Sequence, residues 1–319
     1  SFSNVDALVS AIKAGDIDLS PPRMPPETYD ILVADPNLTV EERTATDKYN
    51  LNFNMSEFGV RHPAIADPVI REAIDYAIDR QAIIDVALLG HGALCPTNWA
   101  CAPNMVDQIN PELTVTPYNP DKAKQLLDDA GYIDRDGDGV REMEDGLPLE
   151  FRLNYQLEDP PQLTVTDMIS DFLSEIGIAV EVQALEYGEM ALGVLEERDF
   201  DLVLFNMYTD AFGPGGMDYS GSCWAAEAGA NGRNYPGYCN EAVDDLVYTA
   251  WYSVDDKVFK DALFEAQAIV ASDRPYITLA GINKIQAFRN DHFEFPFGIC
   301  HESEGGMLSW MGVMNAEVK

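Results

Sequence analysis

The stretch "LEFRLNYQLEDPPQLTVTDMISDFLSEIGIAVEVQAL", residues 149–185, decides the fold class. Leu149, Phe151, Leu153 and Tyr155 alternate with polar neighbours, which is the period of a strand with one buried face. "LTVTDMISDFLSEIG", residues 163–177, predicts a helix stopped by Gly177, a residue tolerant of the left-handed turn that ends helices. "IAVEVQAL", residues 178–185, predicts a second strand. Strand, helix and strand in succession make one β-α-β unit, and the chain reads as α/β.

The same grammar continues on both sides. Downstream, "YGEMALGVLEERDF" (187–200) predicts a short helix and "DLVLFNMY" (201–208) a buried strand. Helices over 240–252 and 256–272 follow, then strands in "PYITLAG" (275–281) and "NKIQAF" (283–288). Upstream, "NPDKAKQLLDDAGY" (119–132) predicts a helix with Asn119 as cap, Pro120 in its first position and Gly131 at its end. "HPAIADPVIREAIDYAIDRQAIIDVALLGHG" (62–92) predicts the strongest helix, capped by Asp67 and opened by Pro68. Its Val69, Ile70, Ala73, Ile74, Ala77 and Ile78 fall at helical spacing, and Gly90 provides the stop. Residues 5–13 predict a helix, "GDIDL" (15–19) a short strand and "KYNLNFNM" (48–55) another strand.

Charge narrows the function classes. The 319 residues hold 55 acidic against 20 basic side chains, a formal net charge of −35. Phosphate binding needs clustered Lys and Arg, so nucleic acid is excluded as a partner, and anionic membrane surfaces equally. No apolar run is long enough to span a bilayer. No basic-then-apolar leader opens the chain, so a processed or truncated product is expected.

The loudest chemistry is "DRDGDGVREMED", residues 134–145. Asp134, Asp136 and Asp138 occupy positions 1, 3 and 5 of a calcium-type loop, with Gly139 at the sharp turn. Val140 offers a carbonyl at position 7, Glu142 stands at position 9 and Asp145 at position 12. Hard oxygen ligands so spaced can curl around one Ca²⁺, while the bland alternative is an acidic turn holding water. A helix enters this loop and a strand leaves it, so the expected ion is a structural clip rather than a sensor with a second helix to open.

Five cysteines are present. Cys95 and Cys101 flank a short loop, and Cys223 and Cys239 flank a longer Gly- and Asn-rich one. Such loops fit disulfides in an oxidising compartment, the alternative being buried free thiols. Cys300 is left over. No CxxC pair suggests zinc, the four histidines are scattered outside any HExxH, and neither GxSxG, Walker A nor GxGxxG occurs. No enzyme is therefore expected.

Several stretches taken in order resemble the family 5 solute-binding proteins of bacterial ABC importers, the group that contains dipeptide- and oligopeptide-binding proteins. The 62–92 stretch is similar to the family's "DxxVRQAIxYAIDRxxI…GxG" segment at Asp67, Arg71, Ala73, Ala77, Asp79, Arg80 and Gly90. "YNPDKAKQLLDDAGY", "DRDGDGVRE" with "PLEFRL", "ERDFDLVLFNMYTD", "NEAVDDLVYTA" and "LFEAQAIVASDRPYITL" follow in the family's order.

The resemblance implies a type II periplasmic-binding-protein fold, with one lobe essentially complete and the C-terminal part of the other. Residues 1–51 and 282–319 would belong to the first lobe and 52–281 to the second, the family's earlier portion being absent. It implies a periplasmic or extracellular monomer that captures a peptide and presents it to a membrane permease. Asp210 matches the family's "GWxxD" aspartate, which pairs with a peptide's α-amino group; the alternative is an exposed loop aspartate. Met207 stands where that pattern has Trp, which opens peptide specificity to question. Asp218 matches a second family aspartate that organises the loop, and Tyr208, Phe212 and Trp224 are candidate cleft contacts. Cys223 and Cys239 match a disulfide of dipeptide-binding relatives. Competing readings are a receptor for an oligosaccharide, a nickel complex or another small solute, and a calcium-stabilised extracellular adhesion module.

Overall fold

The structure, a computed structural model, describes residues 5–21, 23–57, 59–97, 107–208, 223, 234–294 and 317–318. In chain order the principal elements are α1 (Val5–Ala14), α2 (Tyr29–Val33), β1 (Leu38–Phe53), α3 (Pro68–Ala77), α4 (Arg80–Ala87), β2 (Gly92–Ala93) and α5 (Pro120–Asp129). Then come β3 (Glu150–Gln156), α6 (Pro161–Glu175), β4 (Ala179–Leu185), α7 (Tyr187–Met190), β5 (Leu202–Tyr208), α8 (Glu241–Tyr252), α9 (Asp256–Asp273) and β6 (Tyr276–Arg289).

One mixed sheet carries the order β2-β6-β1-β5-β3-β4. β3 pairs in parallel with both β4 and β5, so the β-α-β unit read from the sequence is present. β1 runs antiparallel to β5 on one side and to β6 on the other. β5 stops at Tyr208 opposite Asp47, whereas β1 continues with β6 as far as Leu38 opposite Arg289. A two-stranded ribbon therefore projects past the end of the sheet. Its ladder slips twice, between Thr44 and Lys48 and again between Tyr49 and Asn50, and such breaks bend and twist the strands that carry them.

The ribbon joins two apolar cores. The larger packs Leu51, Phe53, Leu153 and Leu204 of the sheet against Ile70 and Ile74 of α3, Ile83 of α4, Leu127 of α5 and Ile169 of α6. The smaller is built from Val9 and Ile12 of α1, Leu32 of α2, Met24, Leu38 and, from β6, Ile285 and Ala287. Each large aliphatic side chain buried here contributes about 1.5–3 kcal/mol.

Four sequence expectations change. The 62–92 stretch is not one helix: Ile78 and Asp79 are extended, and the Asp79 carboxylate accepts the Ala82 amide at 3.0 Å as a fresh N-cap for α4. Burial of the Arg80 guanidinium against Asp75 and the Thr278 carbonyl fixes that break. Among the described residues "GDIDL" forms a single bridge, Leu19 to Phe288 of β6, rather than a strand. The 275–281 and 283–288 strands are one continuous β6, and of the expected 48–55 strand residues 48–53 are the inner part of a longer β1 that ends at Phe53. Arg71 has a capping role as well: Nε and Nη2 donate to the carbonyl of Asp273, the last residue of α9.

Candidate ligand site and candidate metal loop

In open α/β sheets ligands settle beyond the carboxyl ends of the parallel strands. Here that edge is where β3 and β5 end and where the ribbon passes. The β1 segment alongside is built from two alternating sets. Tyr49, Leu51 and Phe53 enter the larger core, while Lys48, Asn50, Asn52 and Asn54 lie buried on the other face. Such polar groups cost free energy unless they are bonded. Asn54 Nδ2 donates to the carbonyls of Arg198 and Phe200, and Asn52 Nδ2 to those of Asn50 and Val203.

Charge converges at the outer end of this segment. The Asp47 carboxylate, 2% exposed, receives Arg23 Nη2 at 2.6 Å and faces Lys284 Nζ at 3.6 Å. Arg23 gets there because its segment follows β6: the amides of Ser20 and Met24 donate to the carbonyls of Ala287 and Ile285. Burial pushes the Lys48 ammonium down to about 7, against the pull of Asp47. Across the strand ends, the Tyr49 hydroxyl donates to Asp159 at 2.9 Å and Gln162 Nε2 donates to it at 3.0 Å. Burial raises the Asp159 carboxyl, while bonds from Gln162, Tyr49 and Asn206 and the charge of Arg23 oppose the shift. Tyr49 is itself held well above the usual phenol range by burial and by Asp159.

Sequence reasoning missed Arg23, Asp47, Lys48, Asp159 and Lys284. One signal was available: in "DKYNLNFN", residues 47–54, Lys and three Asn alternate with Tyr, Leu and Phe, a strand with no exposed face. Among the expected ligand residues, Met207 and Tyr208 end β5 opposite Lys48 and Asp47, and their side chains lie outside the described residues. Asp210, Phe212, Asp218 and Trp224 also lie outside the described residues. Cys223 and Cys239 are joined in a disulfide, and the Cys223 amide donates to Asp244. Cys95 is disulfide-bonded; Cys101 and Cys300 lie outside the described residues.

The acidic loop follows α5. Carboxylate oxygens of Asp134, Asp136 and Asp138 lie within 4.8 Å of one another, all three residues exposed. Backbone amides curl the loop around them: Gly137 and Gly139 donate to Asp134, Asp138 to Asp136, and Val140 to Asp138. Gly139 has φ 96°, a conformation that favours glycine. Glu142 is not part of this cluster; it is buried and accepts the Arg135 amide at 2.8 Å. Asp145 caps the amide of Leu147 at 3.1 Å. Three converging hard oxygens fit a calcium ion, with two of the five expected side chains engaged elsewhere.

The family model described as bacterial extracellular solute-binding proteins, family 5 Middle, matches residues 1–226. The chain belongs to this family. Di/tripeptide-binding protein 1 of Pseudomonas aeruginosa is 27% identical over 307 residues, covering 93% of this chain and 52% of the relative. Oligopeptide-binding protein AppA of Bacillus subtilis is 25% identical over 299 residues, covering 92% and 50%. The chain thus spans about half the length of the curated relatives it matches. The periplasmic oligopeptide-binding protein of an oligopeptide ABC transporter from Thermotoga maritima superposes with a TM-score of 0.85 at 21% identity, covering 100% of this chain and 62% of its own. The fold is accordingly the α/β periplasmic-binding-protein fold, represented in part. Among the described residues no helix is long and apolar enough to cross a membrane.

Proposed function

We propose that the chain is part of an extracytoplasmic receptor that captures a peptide and delivers it to an ABC-type importer. The observation that carries this reading is family membership over residues 1–226, joined to curated relatives that bind di-, tri- and oligopeptides. No bond in the solute is made or broken, and no enzymatic role is assigned. The ligand would lie beyond the carboxyl ends of β3 and β5. Asp210, just after β5, would pair with the α-amino group; Met207, Tyr208, Phe212 and Trp224 would line the cleft and Asp218 would order its loop. The slipped ladder of the β1–β6 ribbon is the natural place for closure to bend.

Asp134, Asp136 and Asp138, with the carbonyl of Val140, would hold a structural Ca²⁺ away from the ligand. The working protein would be a monomer outside the cytoplasm.

The test is calorimetric binding of peptides, oligosaccharides and nickel chelates to the complete protein. Peptide binding that falls at least about tenfold in Asp210→Ala, the loss of about 1.4 kcal/mol expected when a charge-assisted contact goes, supports the reading. Peptide affinity unchanged in that variant removes the amine anchor, and binding of sugars or chelates without peptides replaces the solute class.

A further inference from the structure

Among the described residues four arginines are buried: Arg71, Arg80, Arg198 and Arg289. Arg80 pairs with Asp75, Arg289 pairs with Asp291, and Arg71 lies in the field of Asp273 and Asp67. Arg198 has no such acid. It is 1% exposed, and burial alone acts on its guanidinium, disfavouring the charged form with no carboxylate to oppose it. The adjacent Asp199 and Asp201 are both engaged by Arg152. Nη1 of Arg198 donates to the carbonyls of Asn234 at 2.8 Å and Tyr235 at 2.7 Å, which uses both of its hydrogens. Nε is buried without a partner, and Nη2 makes no bond among the described residues. These two nitrogens share one edge of the planar fork, the edge that grips an anion with two parallel N–H bonds. Arginine keeps its proton in proteins, so the charge stays. The backbone adds to the cost: Arg198 ends the helical turn 191–197 at φ 54°, a left-handed conformation where glycine is the usual residue. Asn54 holds that turn by donating to the Arg198 and Phe200 carbonyls. A strained, buried cation with one bare edge points to a bound group.

We propose that the Nε and Nη2 edge of Arg198 binds a small monovalent anion, chloride or an ion of its kind. The charge count selects one negative charge: it neutralises the guanidinium, whereas sulfate or phosphate would leave a buried excess. The surroundings select a weakly hydrated ion, because Val194, Phe200 and Tyr235 beside this turn belong to an apolar cluster. The site is separate from the solute. Arg198 lies just before β5, and the solute is placed beyond the other end of that seven-residue strand, about 20 Å away. The inference therefore goes beyond the receptor reading and holds whichever solute is carried. The ion is structural: it completes the tie between the entry to β5 and residues 234–235, a few positions before Cys239 and its disulfide to Cys223.

The experiment has two arms, both on the complete protein. Crystals soaked in sodium bromide are expected to show an anomalous peak against Nε and Nη2 of Arg198. A water or a protein carboxylate on that edge, or no peak there, overturns the proposal. In the second arm, unfolding is followed as sodium chloride replaces sodium gluconate at fixed ionic strength, so that screening stays constant. The wild type is expected to gain stability with chloride, its unfolding equilibrium shifting about a hundredfold once chloride reaches a hundred times its dissociation constant. Arg198→Gly, which suits the left-handed turn, is expected to lose that dependence. Equal chloride dependence in the two proteins, or none in the wild type, overturns the proposal. If the glycine variant does not fold, the bromide map and the wild-type chloride series decide. Neither arm uses a peptide, so failure here leaves the receptor reading standing, and failure of that reading leaves this site untouched.

Discussion

The loop at 134–145 and the junction around Asp47 both concentrate charge, but they do so in opposite surroundings. In the loop, Asp134, Asp136 and Asp138 are neighbours in sequence, exposed to water and held by their own backbone amides. At the junction, Arg23, Asp47, Asp159 and Lys284 come from distant parts of the chain and act on one another with little or no water around Asp47 and Lys284. Screening makes like charges tolerable in the first place and raises the stakes of every pair in the second. A motif can therefore be conspicuous in sequence and energetically mild, while the decisive electrostatics sit in residues with no local pattern.

The largest expected effect breaks that contrast at its buried end. Asp47→Asn keeps the shape but removes the carboxylate facing Lys284, which is 7% exposed, and Arg23. Removing one partner of a buried pair costs about 3–5 kcal/mol, so the variant should unfold at clearly lower urea concentration than the wild type. An unchanged midpoint would mean that the junction is wetter than its burial implies.

The intermediate effect is at the exposed end. Calcium at a hundred times its dissociation constant should add about 2.7 kcal/mol of apparent stability, which EGTA should abolish. Asp136→Asn should lose most of that increment while melting like the wild type without calcium. A melting curve indifferent to both calcium and chelator would reduce the loop to an acidic turn.

The subtlest test uses pH. Lys48 has its folded value pushed down to about 7 by burial, from 10.5. Between those two values the unfolded chain binds a proton that the folded chain does not, so this residue makes stability rise with pH across that window. Below about 7 both states carry the proton and the contribution is flat. Lys48→Met should remove this rise relative to the wild type, measured as urea stability at pH 7, 8 and 9. Parallel pH profiles for the two proteins would show that Lys48 keeps its proton in the fold.

Legibility followed the same division. The β-α-β unit at 149–185 was readable because its strands alternate and its helix has a periodic apolar face, both local properties. The caps of α3 and α5 were readable because Asp67 and Asn119 sit beside prolines. The interruption at Ile78 and Asp79 was not, since apolar spacing continues through it and only burial of Arg80 against Asp75 reveals the break. The outer half of β1, "LTVEERTATD", is too polar to read as a strand; pairing with β6 makes it one. The charged junction was invisible for a related reason: Arg23 sits in a proline-rich segment whose path along β6 is set by backbone bonds to Ala287 and Ile285.

The ribbon has a mechanical meaning as well. One strand linking two cores would be a tether, free to swing in any direction, and three would make a plate. Two hydrogen-bonded strands resist stretching and sideways splay but yield in torsion, most easily where rungs are missing. In β1 and β6 the missing rungs fall beside Asp47 and Lys48. A small twist there becomes a large displacement at the far ends of both cores.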